Sequence, residues 1–92
     1  MIIAKGNGEM EVKKMNKEKI IRGASEILDI PENDEMLNES FMLFENENYG
    51  TNLSDEVLIW GLVAEHAFAT GMFETWKEYQ VKFNQEILKG GK

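Results

Sequence analysis

The sequence predicts an α+β domain that is mostly helical: an N-terminal β-hairpin packed on about four short helices, with the helix over 54–69 at its centre. Three observations predict it. Residues 2–13 form two short runs around a Gly6-Asn7-Gly8 turn signal, the second of them alternating apolar and polar side chains, several later segments carry apolar residues at helical spacing, and residues 57–69 are apolar in almost every direction.

The hairpin is read over 2–13 because three residues that tolerate positive φ can close a tight turn, and Met10 and Val12 alternate against Glu9, Glu11 and Lys13. A two-stranded ribbon is marginal alone, so it must lie on the helices. The first helix is expected over 16–30. Asn16 is its N-cap, Met15 is spaced to staple against Ile20, and Ile20, Ile21, Ala24, Ile27 and Leu28 form its apolar stripe. Pro31 is expected to end it by driving Ile30 out of the α region. A second helix is expected over 33–45, opening at Asn33, with Asp34 and Glu35 in its first turn and Met36, Leu37, Phe41 and Phe44 buried. Residues Glu45 to Asn52 have no periodicity and many turn formers, which reads as the main loop.

Ser54 is the clearest N-cap in the chain, followed by Asp55 and Glu56 at the positive helix end and preceded by Leu53, spaced to staple against Leu58. Unbroken helix from 54 to 88 would be roughly 52 Å long, too long for a compact chain of this size. The break is therefore expected at Thr70-Gly71. Beyond it, a helix over 72–88 repeats Met72, Trp76, Tyr79, Phe83 and Ile87 at spacings of four, three, four and four.

Ninety-two residues make one domain, 1–92, and 42% apolar content suffices for one small core. No cysteine is present, so disulfides and thiolate metal sites are excluded. The first residues are too polar for a signal peptide and no run reaches membrane-spanning length, so a soluble cytoplasmic protein with no membrane partner is expected. A net charge of −7 and a pI near 4.7 oppose direct nucleic-acid binding through a general basic surface.

The charges are segregated. Between Arg22 and Lys77 there is no lysine or arginine, while twelve carboxylates lie there: Glu26, Asp29, Glu32, Asp34, Glu35, Glu39, Glu45, Glu47, Asp55, Glu56, Glu65 and Glu74. Asp34, Glu35, Asp55, Glu56 and Glu74 fall in expected first turns, where an acid stabilises a helix in any protein. The acidic patch over 26–47, comprising Glu26, Asp29, Glu32, Glu35, Glu39, Glu45 and Glu47, is the candidate partner-binding surface. Glu32, Glu35 and Glu39 fall three and four residues apart, spaced for a carboxylate ridge resembling a sparse phosphate backbone. Its natural target is a basic surface on a protein partner, such as the groove of a nucleic-acid-binding protein.

No enzymatic motif stands out, and no catalytic residue, cofactor or metal ligand set is assigned. His66 is the only histidine, and on a helical wheel it lies with Ile59 and Leu62, which reads as a hydrogen-bonded core or interface imidazole. Gly6-Asn7-Gly8 lacks the glycine spacing of a phosphate cradle. Met72, Trp76, Tyr79 and Phe83 read as core or as a self-association surface that would give a homodimer or an assembly protein. A small nucleic-acid-associated regulator using the N-terminal lysines is the remaining alternative.

In its abundance of Lys, Glu, Asn and Ile the chain resembles small phage or mobile-element reading frames of low-GC bacteria. That resemblance implies a protein that binds and blocks a host protein. With the acidic patch, it implies a phage-type inhibitor or nucleic-acid mimic such as an anti-CRISPR.

Overall fold

The computed structural model of the protein describes residues 15–48 and 53–90. They form four helices, α1 (Lys17–Leu28), α2 (Glu35–Glu47), α3 (Asp55–Ala69) and α4 (Phe73–Gly90), and no strand occurs among the described residues. The expected α+β class is thus corrected to an all-helical fold. Helices alone supply the cover that α3 requires, since α1, α2 and α4 all pack on it, and no sheet layer is needed. Residues 2–13, on which the hairpin was placed, lie outside the described residues.

Helix starts follow from local capping chemistry. The Lys19 N–H donates to Asn16 Oδ1 at 3.3 Å, the Leu37 N–H to Asp34 Oδ2 at 2.9 Å, and the Val57 N–H to Ser54 Oγ at 3.3 Å. Each bond satisfies a donor that the first helical turn leaves without an intrahelical partner. The second helix therefore starts one residue past Asp34, which caps it in place of Asn33. The α1–α2 turn is tied by the Asn38 side-chain amide, which donates to the carbonyls of Glu32 and Asp34 at 3.1 and 2.8 Å.

Helix ends depart further from expectation. α1 stops at Leu28, ahead of the residues that Pro31 restricts, because Asp29 takes the left-handed conformation at φ 59° and the Ile30 N–H bonds back to the Ser25 carbonyl at 3.1 Å. α2 runs on through Glu45 and Glu47 into the expected loop. Its end is closed by Asn48, whose backbone N–H and side-chain amide both donate to the Phe44 carbonyl at 3.0 Å. At Thr70-Gly71 the expected break is found. Gly71 has φ +80°, and the N–H groups of Gly71 and Met72 donate to the carbonyls of Phe68 and Ala67, which is the paired bonding of a Schellman stop.

The core is built from Ile20, Ile21, Ala24 and Leu28 of α1, Leu37, Phe41 and Phe44 of α2, Val57, Leu58, Leu62 and Val63 of α3, and Phe83 of α4. Full burial of a side chain such as Leu62 or Phe41 contributes roughly 1.5–3 kcal/mol. Ile27 and Met36, expected inside, are exposed. Both lie at the edge of their apolar stripes, beyond the arc that the neighbouring helix covers; in α2 the small Ser40 is buried instead.

Two glycines set how closely the helices approach α3. A Cβ at Gly61 would lie 2.5 Å from Phe44 Cε1 and Cζ and 2.7 Å from Phe83 Cε1, and the two rings meet there with centroids 5.7 Å apart. A Cβ at Gly23 of α1 would lie 2.4 Å from Ile59 Cδ1. The molecule measures 49 × 33 × 17 Å, and its short dimension holds two helical layers at 8–10 Å spacing but not three. No helix among the described residues is long and apolar enough to cross a membrane.

Gly61→Ala is expected to lower stability by about 1–3 kcal/mol in urea denaturation, although alanine is the better helix former, because two packed rings must move. Gly23→Ala is expected to cost less, since Ile59 is only half-buried and can turn aside. Equal losses at the two sites would show that the Phe44–Phe83 seat carries no special constraint.

Candidate functional site: the acidic surface of the first two helices

The seven candidate carboxylates divide into two groups. Glu26 lies in the last turn of α1, Asp29 caps that helix, Glu32 sits in the connecting turn and Glu35 opens α2, with Glu39 one turn further on. Glu45 and Glu47 lie in the last turn of α2, about 15 Å from Glu35 at 1.5 Å per residue. Glu35 and Glu39 share the outward face of α2, opposite the buried Leu37, Ser40, Phe41 and Phe44. Glu45 is half-buried and the other six are exposed.

Glu32 does not belong to the helical ridge with Glu35 and Glu39. It precedes the Asp34 cap, and its Oε2 is 3.4 Å from Arg22 Nε. Arg22 thereby neutralises one acid of the patch. Glu26, Asp29, Glu35, Glu39, Glu45 and Glu47 form no ion pair among the described residues. Lys19, the other basic residue of α1 in an ion pair, bonds Asp55 at the start of α3 at 3.4 Å.

The helix ends show which of these acids local structure favours. Glu35 stands at the positive end of α2, where a carboxylate is stabilised. Glu26 and Asp29 at the end of α1, and Glu45 and Glu47 at the end of α2, stand at the negative ends, and neither helix has a basic residue in its last turn. Asp29 carries a second cost, the left-handed backbone, where glycine is unstrained. These four acids oppose the local preferences of the helices that hold them.

Glu65 of α3 joins the second group. Its carboxyl is held above its ordinary value, first by burial and then by the negative charge of Glu47. The sequence placed Glu65 with the oily central helix, and only the folded arrangement brings it near Glu47. His66, next in the chain, is buried, and its Nδ1 is 3.2 Å from Ser40 Oγ, which ties α3 to α2. No group of three His, Asp or Glu side chains among the described residues is arranged to hold a metal ion.

The residues read as a self-association surface are divided between inside and outside. Phe83 is buried on Gly61, Tyr79 is packed against the core, and the ring of Trp76 meets that of Phe68 in a tilted contact with centroids 5.3 Å apart. Met72 is exposed at the corner between α3 and α4. The residues that sequence reasoning passed over are the two seats, Gly23 and Gly61, whose only signal is a missing side chain in a helix of bulky ones. Compared with known protein families, curated proteins and solved structures, the chain matches none.

Two substitutions are expected to stabilise the protein. Asp29→Asn keeps tolerance for the left-handed conformation and removes the charge from the negative helix end, so its urea midpoint should rise by the equivalent of about 0.3–1 kcal/mol. Glu65→Gln should raise the midpoint at pH 7. The folded state holds the Glu65 proton more tightly than the unfolded chain, so the penalty exists above the folded pKa and disappears as pH falls toward the ordinary value near 4.5. The advantage of Glu65→Gln over wild type should therefore shrink between neutral pH and pH 4, and an advantage independent of pH would exclude this cause.

Proposed function

We propose that the chain is a small, non-enzymatic acidic binding protein that acts in the cytoplasm by engaging a basic surface of a protein partner. Glu26, Asp29, Glu35 and Glu39 form the principal contact, and Glu45 and Glu47 extend it. Among the expected contact residues, Glu32 is secondary, because Arg22 already occupies its carboxylate.

The observation that supports this reading most is the placement of unpaired acids at the C-terminal ends of α1 and α2, against the helix dipoles, with Asp29 also in a left-handed backbone. A surface shaped only by solubility has no reason to keep charge where it destabilises its own helix. Residues that violate local preference without a structural gain are expected at functional sites. The charge count of α2 adds to this: its sequence EMLNESFMLFENE contains four acids and no base. Such a helix presents a field of one sign, which accelerates encounter with a basic partner and disfavours acidic ones. Basic nucleic-acid-binding grooves have the matching chemistry, and occupying one would block it in the manner of a nucleic-acid mimic.

An arginine-rich peptide is a suitable probe, with affinity measured by titration calorimetry between about 50 and 300 mM salt. Wild-type affinity is expected to fall steeply over that range. The double variant Glu35→Lys and Glu39→Lys should weaken binding at least about tenfold, whereas Glu74→Lys with Glu78→Lys, the same change in net charge placed on α4, should weaken it far less. Equal losses from the two pairs would reduce the effect to net charge and remove the proposed surface.

A further inference from the structure

We propose that two copies of this chain associate through the outer face of α4, packed antiparallel about a twofold axis near Val81. The inference is independent of the acidic-surface reading and concerns the opposite kind of surface.

α4 uses one side on its own chain. Its backbone approaches α3 alone among the described helices, with Tyr79 and Phe83 turned inward. On the outer side Phe73, Val81 and Leu88 are 57%, 53% and 74% exposed. At 100° per residue these three fall within about 80° of one another, so they form one stripe rather than scattered positions. Phe68, also exposed, extends the stripe at its N-terminal end, where its ring lies 6.3 Å from that of Phe73. Among the described residues no helix other than α3 packs on α4, so none of them covers this face.

Charge decides what the face fits. α4 carries Glu74, Glu78 and Glu86 against Lys77, Lys82 and Lys89, three of each sign, while α2 has four acids and no base. A second copy brings another −7. Its approach is opposed by like charge at α2, with four acids and no base, and meets no net repulsion at the balanced face of α4. A strongly basic or acidic partner gains nothing there.

The spacing of the stripe is self-complementary. Phe73 with Leu88 and Lys77 with Asn84 share one midpoint, between Gln80 and Val81, so an antiparallel pair centred there sets Phe73 against Leu88 of the second copy and brings the two Val81 residues to within one residue of direct opposition. Lys77 and Asn84 lie on the same face between the apolar residues. In the antiparallel register Lys77 meets Asn84 of the second copy, an ammonium opposite an amide oxygen that can accept from it. A parallel pair would instead oppose Lys77 with Lys77. The polar pair within the seam makes this a modest, reversible interface rather than an obligate one.

Sedimentation equilibrium of the full chain up to about 100 µM is expected to show a monomer–dimer equilibrium. Val81→Glu with Leu88→Glu should shift it to monomer by at least about tenfold in dissociation constant, with the helical circular dichroism unchanged. Glu35→Lys with Glu39→Lys should still dimerise, which separates this interface from the acidic surface. The chain has no cysteine, so introduced thiols report register directly. Phe73→Cys combined with Leu88→Cys should oxidise to a linked dimer, and Phe73→Cys alone should not. A wild-type monomer throughout the range, or a folded Val81→Glu, Leu88→Glu variant that dimerises like wild type, would overturn the interface and leave the stripe to a different protein. Ready linkage through Phe73→Cys alone would overturn the antiparallel arrangement.

Discussion

Where α2 and α4 stand against α3 depends on the absence of one side chain, at Gly61. α3 is apolar in nearly every direction and needs cover on nearly every side, but a helix of bulky residues holds its neighbours at a distance. Gly61 lets the rings of Phe44 and Phe83 descend onto the α3 backbone from two different helices and touch each other there. α2 and α4 are thereby linked across α3 by an aromatic pair, even though their backbones do not approach. With Phe44 fixed inward, Glu35 and Glu39 must face outward, since they lie on the opposite side of the same helix. With Phe83 fixed inward, Phe73, Val81 and Leu88 are left outside. Both surfaces to which function is attributed are thus consequences of one contact.

The same helices separate acids that serve the fold from acids that do not. Asp34 caps α2, and Asp55 and Glu56 occupy the first turn of α3, where Asp55 also meets Lys19; these carboxylates have structural work. Glu26, Glu45 and Glu47 have no such partner among the described residues, and Asp29 ends α1 through its backbone rather than its carboxylate; all four charges stand at helix ends that they weaken. Glu65 adds to this cost on the α3 side, being partly buried beside Glu47. Net charge alone is satisfied by acids anywhere on the surface, so it does not account for acids at the least favourable positions.

Local chemistry was legible in the sequence, and distant contacts were not. Asn16, Ser54 and the Thr70-Gly71 break follow from hydrogen bonds within a few residues, and each is found in place. Asp29 escaped because a left-handed aspartate is rare, and Pro31 offered a more obvious stop two residues later. Glu45 and Glu47 read as loop because the run from Glu45 has no apolar period and is rich in turn formers; the Asn48 cap, which the loop reading obscured, lets the helix continue. Ile27 and Met36 were misplaced because periodicity gives the direction of a stripe, not the width of the neighbour that covers it. The pairing of Arg22 with Glu32 requires the chain to turn back on itself, and Gly61 matters only once two other helices arrive. The acidic patch was visible as composition, but its division into two groups needed the position of the Asp34 cap.

The proposed pairing through α4 would change what the acidic surface can do. The interface proposed for α4 is neutral and that of α1 and α2 is not, so association costs none of the charge that attracts a basic partner. A twofold dimer carries two acidic surfaces on one particle. Against an isolated basic groove the second surface is idle. Against a target that repeats its basic surface, the second contact becomes intramolecular, and avidity can exceed the single-site affinity by orders of magnitude without any new contact. Modest affinity at each surface is then enough, which suits a chain whose individual contacts are exposed carboxylates screened by salt. The balanced charge of α4 is what makes this arrangement physically accessible: two chains of this net charge can meet there without net repulsion between the paired helices.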